Sequence, residues 1–382
     1  MKIGQLSIRS SVAIGATLLA AGSAYAQSSV TLYGIIDTGV EYVSHANTAG
    51  DSVVRMPSIT GELPSRWGLR GSENLGGGYS TEFTLENGFN VHAGDIGQGG
   101  RLFGRQAWVG IKSPYGLLSF GRQYTMTFWA MSDADVLGPN IYGMASFDAY
   151  LANARSDNTI AYRGTFHGVT LGATWSFGRD AAGTGNSPGQ GTCAGSVPGQ
   201  MTECRQWSAM LKYDASWFGL AAAYDEQRGG TNAAANFYNG IVPFPLTSSV
   251  DKDARTQFNG YMVLGTVKVG AGYVGRNVTT EGAGPDVRYN MYFVGGSWQA
   301  MPAFSIDGEA IRIVNSEQNA RASTAILRAN YLLSKSTLIY LQGAYLANSA
   351  HAAYSISAGG GGTTPARGAN QTAVMAGIQH RF

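Results

Sequence analysis

Residues 169–176 read Val-Thr-Leu-Gly-Ala-Thr-Trp-Ser, and this stretch decides the fold class of the chain. Val169, Leu171, Ala173 and Trp175 occupy every second position, and small or hydroxyl-bearing residues fill the positions between them. Successive side chains of a β-strand point to opposite faces of its sheet. The stretch therefore predicts a strand with one apolar face and one polar face.

The same two-residue alternation returns along the rest of the chain. It is visible in 207–213, 257–264 and 327–331, where aromatic and aliphatic residues alternate with polar ones. After residue 26, no apolar run approaches the roughly 18 residues of a membrane-spanning helix. We count sixteen strand segments, from Val30–Tyr42 to Thr372–Phe382. Because an even number of antiparallel strands lets the first and last pair, the sequence predicts an all-β fold, a closed sixteen-stranded antiparallel barrel.

Connection lengths separate a membrane barrel from a soluble sandwich, whose strands alternate in the same way. Short turns such as 75–78, 167–168 and 333–336 alternate with long segments such as 125–157 and 229–255. Tight turns at one end and long loops at the other are typical of a transmembrane β-barrel. The charged fraction of 13% and the 20 tyrosines also suit strands that carry aromatic girdles at the membrane interfaces.

The N-terminus has the form of an export signal. Lys2 and Arg9 precede a short apolar stretch, 12–21, which is followed by Ala24-Tyr25-Ala26. About ten apolar residues are too few to span a bilayer, and the small-x-small triplet is what a signal peptidase accepts. We expect residues 1–26 to be removed and residues 27–382 to form a single domain.

The remaining composition limits partners and cofactors. Without the export signal the basic and acidic residues balance, so no nucleic-acid partner is expected. The five histidines are scattered without metal-ligand spacing, so no metal or cofactor is expected. Cys193 and Cys204 lie eleven positions apart in a segment rich in Gly, Pro and Ser. Because an exported chain meets oxidising conditions, we predict a disulfide between them.

Five short motifs carry a resemblance to a known family. They are VTLYG at 30–34, SRWGLRGSE with LGGG between 65 and 78, GRQAWVG at 104–110, FGRQY at 120–124 and HRF at 380–382. In this order the chain resembles the trimeric, sixteen-stranded general-diffusion porins of Gram-negative bacteria, particularly the β-proteobacterial branch. The resemblance implies an outer-membrane channel for small hydrophilic solutes and ions. It also implies a homotrimer in contact with outer-membrane lipid and lipopolysaccharide.

The resemblance also implies an inward-folded constriction loop. In this family the long loop after the fifth strand narrows the barrel, and its carboxylates face arginines on the wall. Residues 125–157 take that place here. The matching positions are Asp133 and Asp135 on the loop, Arg66, Arg105 and Arg155 on the wall, and Arg70 and Arg122 as an extension of the basic side. Opposed charges would create a transverse field, and the excess of basic candidates predicts a weak anion preference.

Each of these residues also has a simpler interpretation. The arginines could be structural interior residues paired with Glu82, Glu86 or Asp37. The two aspartates could belong to a solvated loop turn. The sequence alone leaves both interpretations open.

The sequence also bears on three other functional classes. Trp129, Phe128 and Tyr142 could form an aromatic slide for sugars in a substrate-specific channel. A hydrolase is disfavoured because the sequence has no Gly-x-Ser-x-Gly motif and no phosphate-binding loop, so we expect no enzymatic activity. A secreted β-solenoid is disfavoured because no short repeat is visible.

Overall fold

The computed structural model describes residues 29–58, 61–151, 153–181, 193–281, 286–358 and 362–382. The predicted export signal, residues 1–26, lies outside the described residues. The described chain is dominated by sixteen long strands. These are β1 (Ser29–Val43), β2 (Arg66–Gly76), β3 (Tyr79–Asn90), β4 (Gln106–Ser113), β5 (Gly116–Tyr124), β6 (Arg155–Phe166), β7 (Val169–Ser176), β8 (Gln206–Asp214), β9 (Phe218–Arg228), β10 (Lys252–Leu264), β11 (Val267–Thr279), β12 (Val287–Met301), β13 (Phe304–Asn315), β14 (Ala320–Leu332), β15 (Thr337–Asn348) and β16 (Gln371–Arg381).

A few short elements accompany the long strands. They are the helix α1 (Met126–Met131), a 3-10 turn (Met144–Ser146) and the short strands Val53–Arg55, Asp95–Ile96, Ala234–Ala235 and Phe244–Pro245. No helix among the described residues is long and apolar enough to cross a membrane.

The sixteen strands form one closed antiparallel sheet. Each strand pairs with the next in chain order. β1 pairs with β2 through its first half, from Ser29 to Ile35, and with β16 through its second half, from Ile35 to Val43. The predicted pairing of the first and last strands is therefore confirmed.

The apolar face of the strands points outward. In β7, Leu171 is 47% exposed and Trp175 is 46% exposed, whereas Thr170, Thr174 and Ser176 are buried inside the barrel. A soluble sandwich would bury the apolar face. The reversed arrangement, with polar side chains around the interior, is that of a membrane barrel.

Outward aromatic residues form two girdles around an aliphatic band. One girdle contains Tyr115, Tyr213, Trp217, Trp298, Tyr331 and Phe382, and the other contains Tyr42, Trp175, Phe177, Tyr292 and Tyr345. Exposed aliphatic side chains such as Leu171, Leu211, Val294 and Leu327 lie between them. Two aromatic girdles around an apolar band are the pattern expected where a barrel meets both membrane interfaces.

The two ends of the barrel differ in their connections. Adjacent strands are joined at the short-turn end by turns such as 77–78, 114–115 and 167–168, and at the long-loop end by segments such as 125–154 and 229–251. The predicted disulfide between Cys193 and Cys204 is present in a connection of the long-loop end, with the two Cα atoms 5.1 Å apart.

The orientation of the strand faces can be tested with one added charge. Leu171→Arg places a cation on the lipid-facing side between the two girdles, and we expect it to lower the free energy of unfolding by about 2–4 kcal/mol. Thr84→Glu is the control, because Thr84 lines the lumen directly opposite Arg70, where an added carboxylate faces a cation. Its cost should stay within about 0.5 kcal/mol. Urea unfolding in lipid vesicles measures both, and equal losses would contradict the assignment of faces.

Candidate pore constriction

Residues 125–154, here called the constriction loop, leave β5 and fold into the barrel. The backbone N–H of Met126, at the start of α1, donates a hydrogen bond to Ser208 Oγ of β8 at 3.0 Å. Further along, Asn140 Nδ2 donates to Gln342 Oε1 of β15 at 2.7 Å. Since both partners point inward from the wall, the loop crosses the interior from β8 to β15. The expected inward-folded loop is therefore present.

Two glycines let the loop lie flat against the wall. A Cβ atom added to Gly270 of β11 would lie 1.9 Å from the carbonyl oxygen of Ala134. A Cβ atom added to Gly295 of β12 would lie 2.5 Å from Val136 Cγ2. The backbone of the loop blocks a side chain at Gly270, so this wall position requires glycine for the loop to occupy its place. At Gly295 a side chain would have to displace a methyl group of Val136.

A buried charge network fixes the second half of the loop. Asp148 is bound by Arg255 of β10 at 2.8 and 3.1 Å, and it lies 3.7 Å from Arg276 of β11. Asp253 pairs with the same two arginines at 3.1 and 2.8 Å, and the Tyr289 hydroxyl donates to Asp148. All five side chains are buried. Two carboxylates therefore match two guanidinium groups, which offsets the cost of removing these charges from water.

The charge state of Asp148 follows from this arrangement. Burial alone would raise the pKa of Asp148, but the attraction of Arg255 and Arg276 outweighs it and holds the pKa well below its ordinary value. Asp148 therefore stays ionised, and the ion pairs that attach the loop to the wall persist across the physiological pH range.

At the tip of the loop, a carboxyl group of the loop meets a carboxyl group of the wall. Asp135 is buried, and its Oδ1 accepts hydrogen bonds from the backbone N–H groups of Leu137 at 3.1 Å and Gly138 at 2.7 Å. Its carboxyl group also meets that of Glu309 on β13. Burial raises the pKa of Asp135 to about 6. Two carboxyl groups can form a hydrogen bond only when they share a proton, so the contact of the loop tip with the wall depends on pH.

Asp133 has a different partner. Its carboxylate forms an ion pair with Lys212 of β8, and Lys212 also contacts Asp214 at 3.0 Å. The Asp133 side chain keeps 41% of its surface exposed. Among the described contacts, neither Asp133 nor Asp135 meets one of the predicted wall arginines.

Three predicted arginines do come together. Arg105 Nε lies 2.7 Å from Glu86 Oε1, and Arg105 also donates to the Tyr124 hydroxyl at 3.0 Å. Arg66 Nε lies 3.7 Å from the other oxygen of Glu86. The guanidinium of Arg155 stacks over the Tyr124 ring, 5.2 Å from its centroid. We call Arg66, Arg105 and Arg155 the arginine cluster. Its three cations lie on the wall from β2 to β6, where Glu86 is the carboxylate that pairs with Arg66 and Arg105.

The other two predicted arginines lie apart from this cluster. Arg122 forms an ion pair with Asp157 and donates to the Gly104 carbonyl at 2.7 Å, so it serves the structure of the wall. Arg70 is exposed to the lumen over the Tyr33 ring, 5.2 Å from its centroid. It lines a cavity of about 470 Å³.

Several side chains of the site were not predicted from the sequence. Arg163 lines the same cavity as Arg70 and lies 3.5 Å from the centroid of the Trp129 ring. Arg163 and Lys212 both occupy inward positions of their strands, so alternation could have placed them in the lumen. No comparable signal reveals that Lys212 or Arg255 meets an aspartate of the loop.

The aromatic residues of the loop hold it in place. Phe128 stacks on Tyr124 with ring centroids 3.8 Å apart, and Trp129 stacks with Arg163. Tyr142 is fully buried beside Glu41. These contacts use the ring faces that an aromatic slide for sugars would have to offer to a solute.

A closed barrel with an apolar outer wall, a polar lumen and an inward loop defines a porin-type channel. The sequence model of the Gram-negative porin family matches residues 10–378, so the chain belongs to this family. It is 33% identical to an outer membrane porin protein of Bordetella pertussis, over 97% of this chain and 99% of the relative. It is 28% identical to outer membrane porin protein 32 of Delftia acidovorans, over 96% of this chain and 98% of the relative.

Solved structures show the same fold. An anion-selective porin from Comamonas acidovorans superposes with a TM-score of 0.72 and 23% identity, covering 93% of this chain and 100% of that one. The outer membrane protein OmpT of Vibrio cholerae superposes with a TM-score of 0.64 and 14% identity, over 93% of this chain and 98% of that one. The chain is therefore an outer-membrane channel for the passive diffusion of solutes, and its long-loop end faces outward from the cell.

The buried charge network can be tested through loop motion. Asp148→Asn leaves two arginines against Asp253 alone, and breaking a buried pair costs about 3–5 kcal/mol. We expect more frequent partial closures and larger current noise in single-channel recordings. Asp51→Asn is the control, because Asp51 is an exposed carboxylate of an outer turn. Identical noise in both variants would show that the network does not hold the loop.

The carboxyl pair at the loop tip predicts a pH dependence. The pKa of Asp135 is raised from 3.8 to about 6, so the folded state favours its protonated form. Its stabilising contribution is full below pH 3.8 and is lost as the pH rises through about 6. Corrected for intrinsic rates, hydrogen exchange of residues 134–138 should therefore accelerate between pH 5 and 7.

A substitution on the wall provides the control for this effect. Glu309→Gln supplies a neutral hydrogen-bond donor beside Asp135 at every pH, so the acceleration should become much smaller. Asp133→Asn should leave it intact, because Asp133 pairs with Lys212 on another strand. Exchange that is independent of pH in the unsubstituted protein would contradict the raised pKa of Asp135.

Proposed function

We propose that the channel prefers small anions and that the arginine cluster sets this preference. The supporting observation is an imbalance of charge. Arg66 and Arg105 share the carboxylate of Glu86, and Arg155 adds a third cation that stacks over the Tyr124 ring. Asp133, by contrast, is paired with Lys212, and Asp135 is buried against Glu309. The loop acids have partners of their own, so they offset little of the positive field of the cluster.

The size of this field is sufficient to bias permeation. A unit charge attracts an ion about 5 Å away in water by about 0.8 kcal/mol, which exceeds thermal energy. The Debye length is about 10 Å at 0.1 M salt, so the field reaches across a narrow passage. Arg70 and Arg163 continue the basic wall toward the short-turn end. The solved relative from Comamonas acidovorans is described as anion-selective, which agrees with this proposal.

The assembly that we propose is a homotrimer of residues 27–382, a single domain formed after cleavage behind Ala26. Its outer wall would contact outer-membrane lipid and lipopolysaccharide, and small hydrophilic ions would pass without a cofactor. The mass of the detergent-extracted, unheated protein tests the trimer, and a monomer as the only species would contradict it.

Selectivity is tested by removing single cations from the cluster. Arg66→Gln and Arg155→Gln should each lower the anion-to-cation permeability ratio roughly two- to fourfold at 0.1 M salt, because each removes one charge beside the passage. Reversal potentials in salt gradients across planar bilayers measure this ratio. Arg367→Gln, in an exposed outer segment, is the control and should leave it unchanged.

A substitution that removes a negative charge from the loop completes this test. Asp133→Asn removes one negative charge from the loop and leaves Lys212 paired with Asp214 alone, so the ratio should move toward anions. All of these shifts should shrink in 1 M salt, where the Debye length falls to about 3 Å. If both arginine variants keep the ratio of the unsubstituted protein at low salt, the cluster does not control selectivity.

A further inference from the structure

The outer wall carries an apolar groove that the channel function does not use. The groove has a volume of about 680 Å³ and lies across β11–β15. Ala310 of β13 and Ala325 of β14 face each other in register and form its floor. Tyr292 and Tyr345, both half exposed, stand on either side. Small side chains between two large ones leave a slot in the lipid-facing surface.

Basic side chains stand at the outer end of this groove. Arg312 is exposed on the outward face of β13, directly opposite Tyr292 in register, and it donates to Ser323 Oγ at 2.7 Å. Arg321 is the second residue of β14 and is also exposed. Arg288, on β12, keeps 60% of its side chain exposed and pairs with Glu317 at 2.8 Å. The outer end of the groove therefore has an excess of positive charge.

These arginines interrupt an otherwise apolar surface. A cation on the lipid-facing side of a barrel is costly at the membrane midplane and is tolerated near the interface. Arg312 and Arg321 lie within a few residues of the long-loop end of their strands, at the depth of the head groups of the outer leaflet. Guanidinium groups match phosphate oxygens in charge and in geometry.

We propose that this groove binds a phosphate-bearing, acylated lipid of the outer leaflet. One acyl chain lies over Ala310 and Ala325 between the two tyrosines, and Arg312 and Arg321 hold the phosphate. The apolar slot and the cations lie one above the other along the membrane normal, in the order in which such a lipid presents its chain and its head group. The proposal rests on the lipid contact that we propose above for the outer wall and assigns a site to it, but it does not depend on which solutes pass through the pore.

Lipid retention by the detergent-solubilised full-length protein tests the phosphate contact. The probe is the purified phosphorylated lipid moiety of lipopolysaccharide, titrated and counted by native mass spectrometry. The double variant Arg312→Gln, Arg321→Gln should bind it ~10-fold or more weakly. Lys335→Gln is the matched control, because Lys335 is an exposed cation at the short-turn end. The dephosphorylated lipid should bind both proteins equally.

A second variant tests the apolar slot. Ala325→Trp fills the groove and should weaken the binding of the phosphorylated and dephosphorylated lipids alike. Ala173→Trp places the same side chain on the outward face of β7 and should have no effect. Mobility on unheated gels and unchanged conductance would show that each variant is folded.

Two outcomes would overturn the proposal. The first is equal lipid retention by the unsubstituted protein, the arginine double variant and Ala325→Trp. The second is a change in oligomeric mass on Ala325→Trp with lipid retention preserved, because a second copy of the chain would then cover the groove. Failure of either kind would leave the predicted selectivity of the arginine cluster untouched.

Discussion

The pairing of β1 with both β2 and β16 is the constraint on which the rest of the structure depends. In hydrocarbon, an unpaired backbone N–H or C=O group costs several kcal/mol, so a sheet that crosses a membrane cannot have an edge. β1 meets this requirement by changing partner at Ile35, which lies opposite Arg66 on one side and Arg381 on the other. An even strand number and the outward apolar face follow from this closure.

Inside the closed barrel, the degree of charge pairing separates two kinds of charged site. Asp148 and Asp253 match Arg255 and Arg276 in a dry network, so these charges hold the constriction loop in place. The arginine cluster instead has more cations than carboxylates, and Arg66 and Arg155 are partly exposed although Arg105 is buried. A fully paired buried charge has no field left to act on a passing ion, whereas an underpaired charge beside water does. Structural and functional charges are therefore distinguished by their partners and not by residue type.

The sequence could predict the regular wall of the barrel but not the path of the constriction loop. Alternation with a period of two separated the two faces of each strand, because the wall is regular, and the connection lengths indicated that the polar face lines the lumen. The family resemblance indicated which arginines lie on the wall. The path of the constriction loop has no period. The contact of Asp148 with Arg255 joins residues 107 positions apart, and that of Asp135 with Glu309 is equally non-local. Gly270 looks in the sequence like any other strand glycine, and only the seated loop shows why it has no side chain.

Departures from the alternation carry information of their own. The pattern places apolar residues on the outward face of β13, yet Arg312 stands there with only a serine hydroxyl as its described partner. In the lumen, a comparable excess of positive charge is the feature on which the proposed anion preference rests. A sequence usually breaks a local rule where function compensates for the cost. Because the wall around Arg312 supplies little compensation from within the chain, the balancing anion has to come from the membrane, where the phosphates of the outer leaflet lie at the same height.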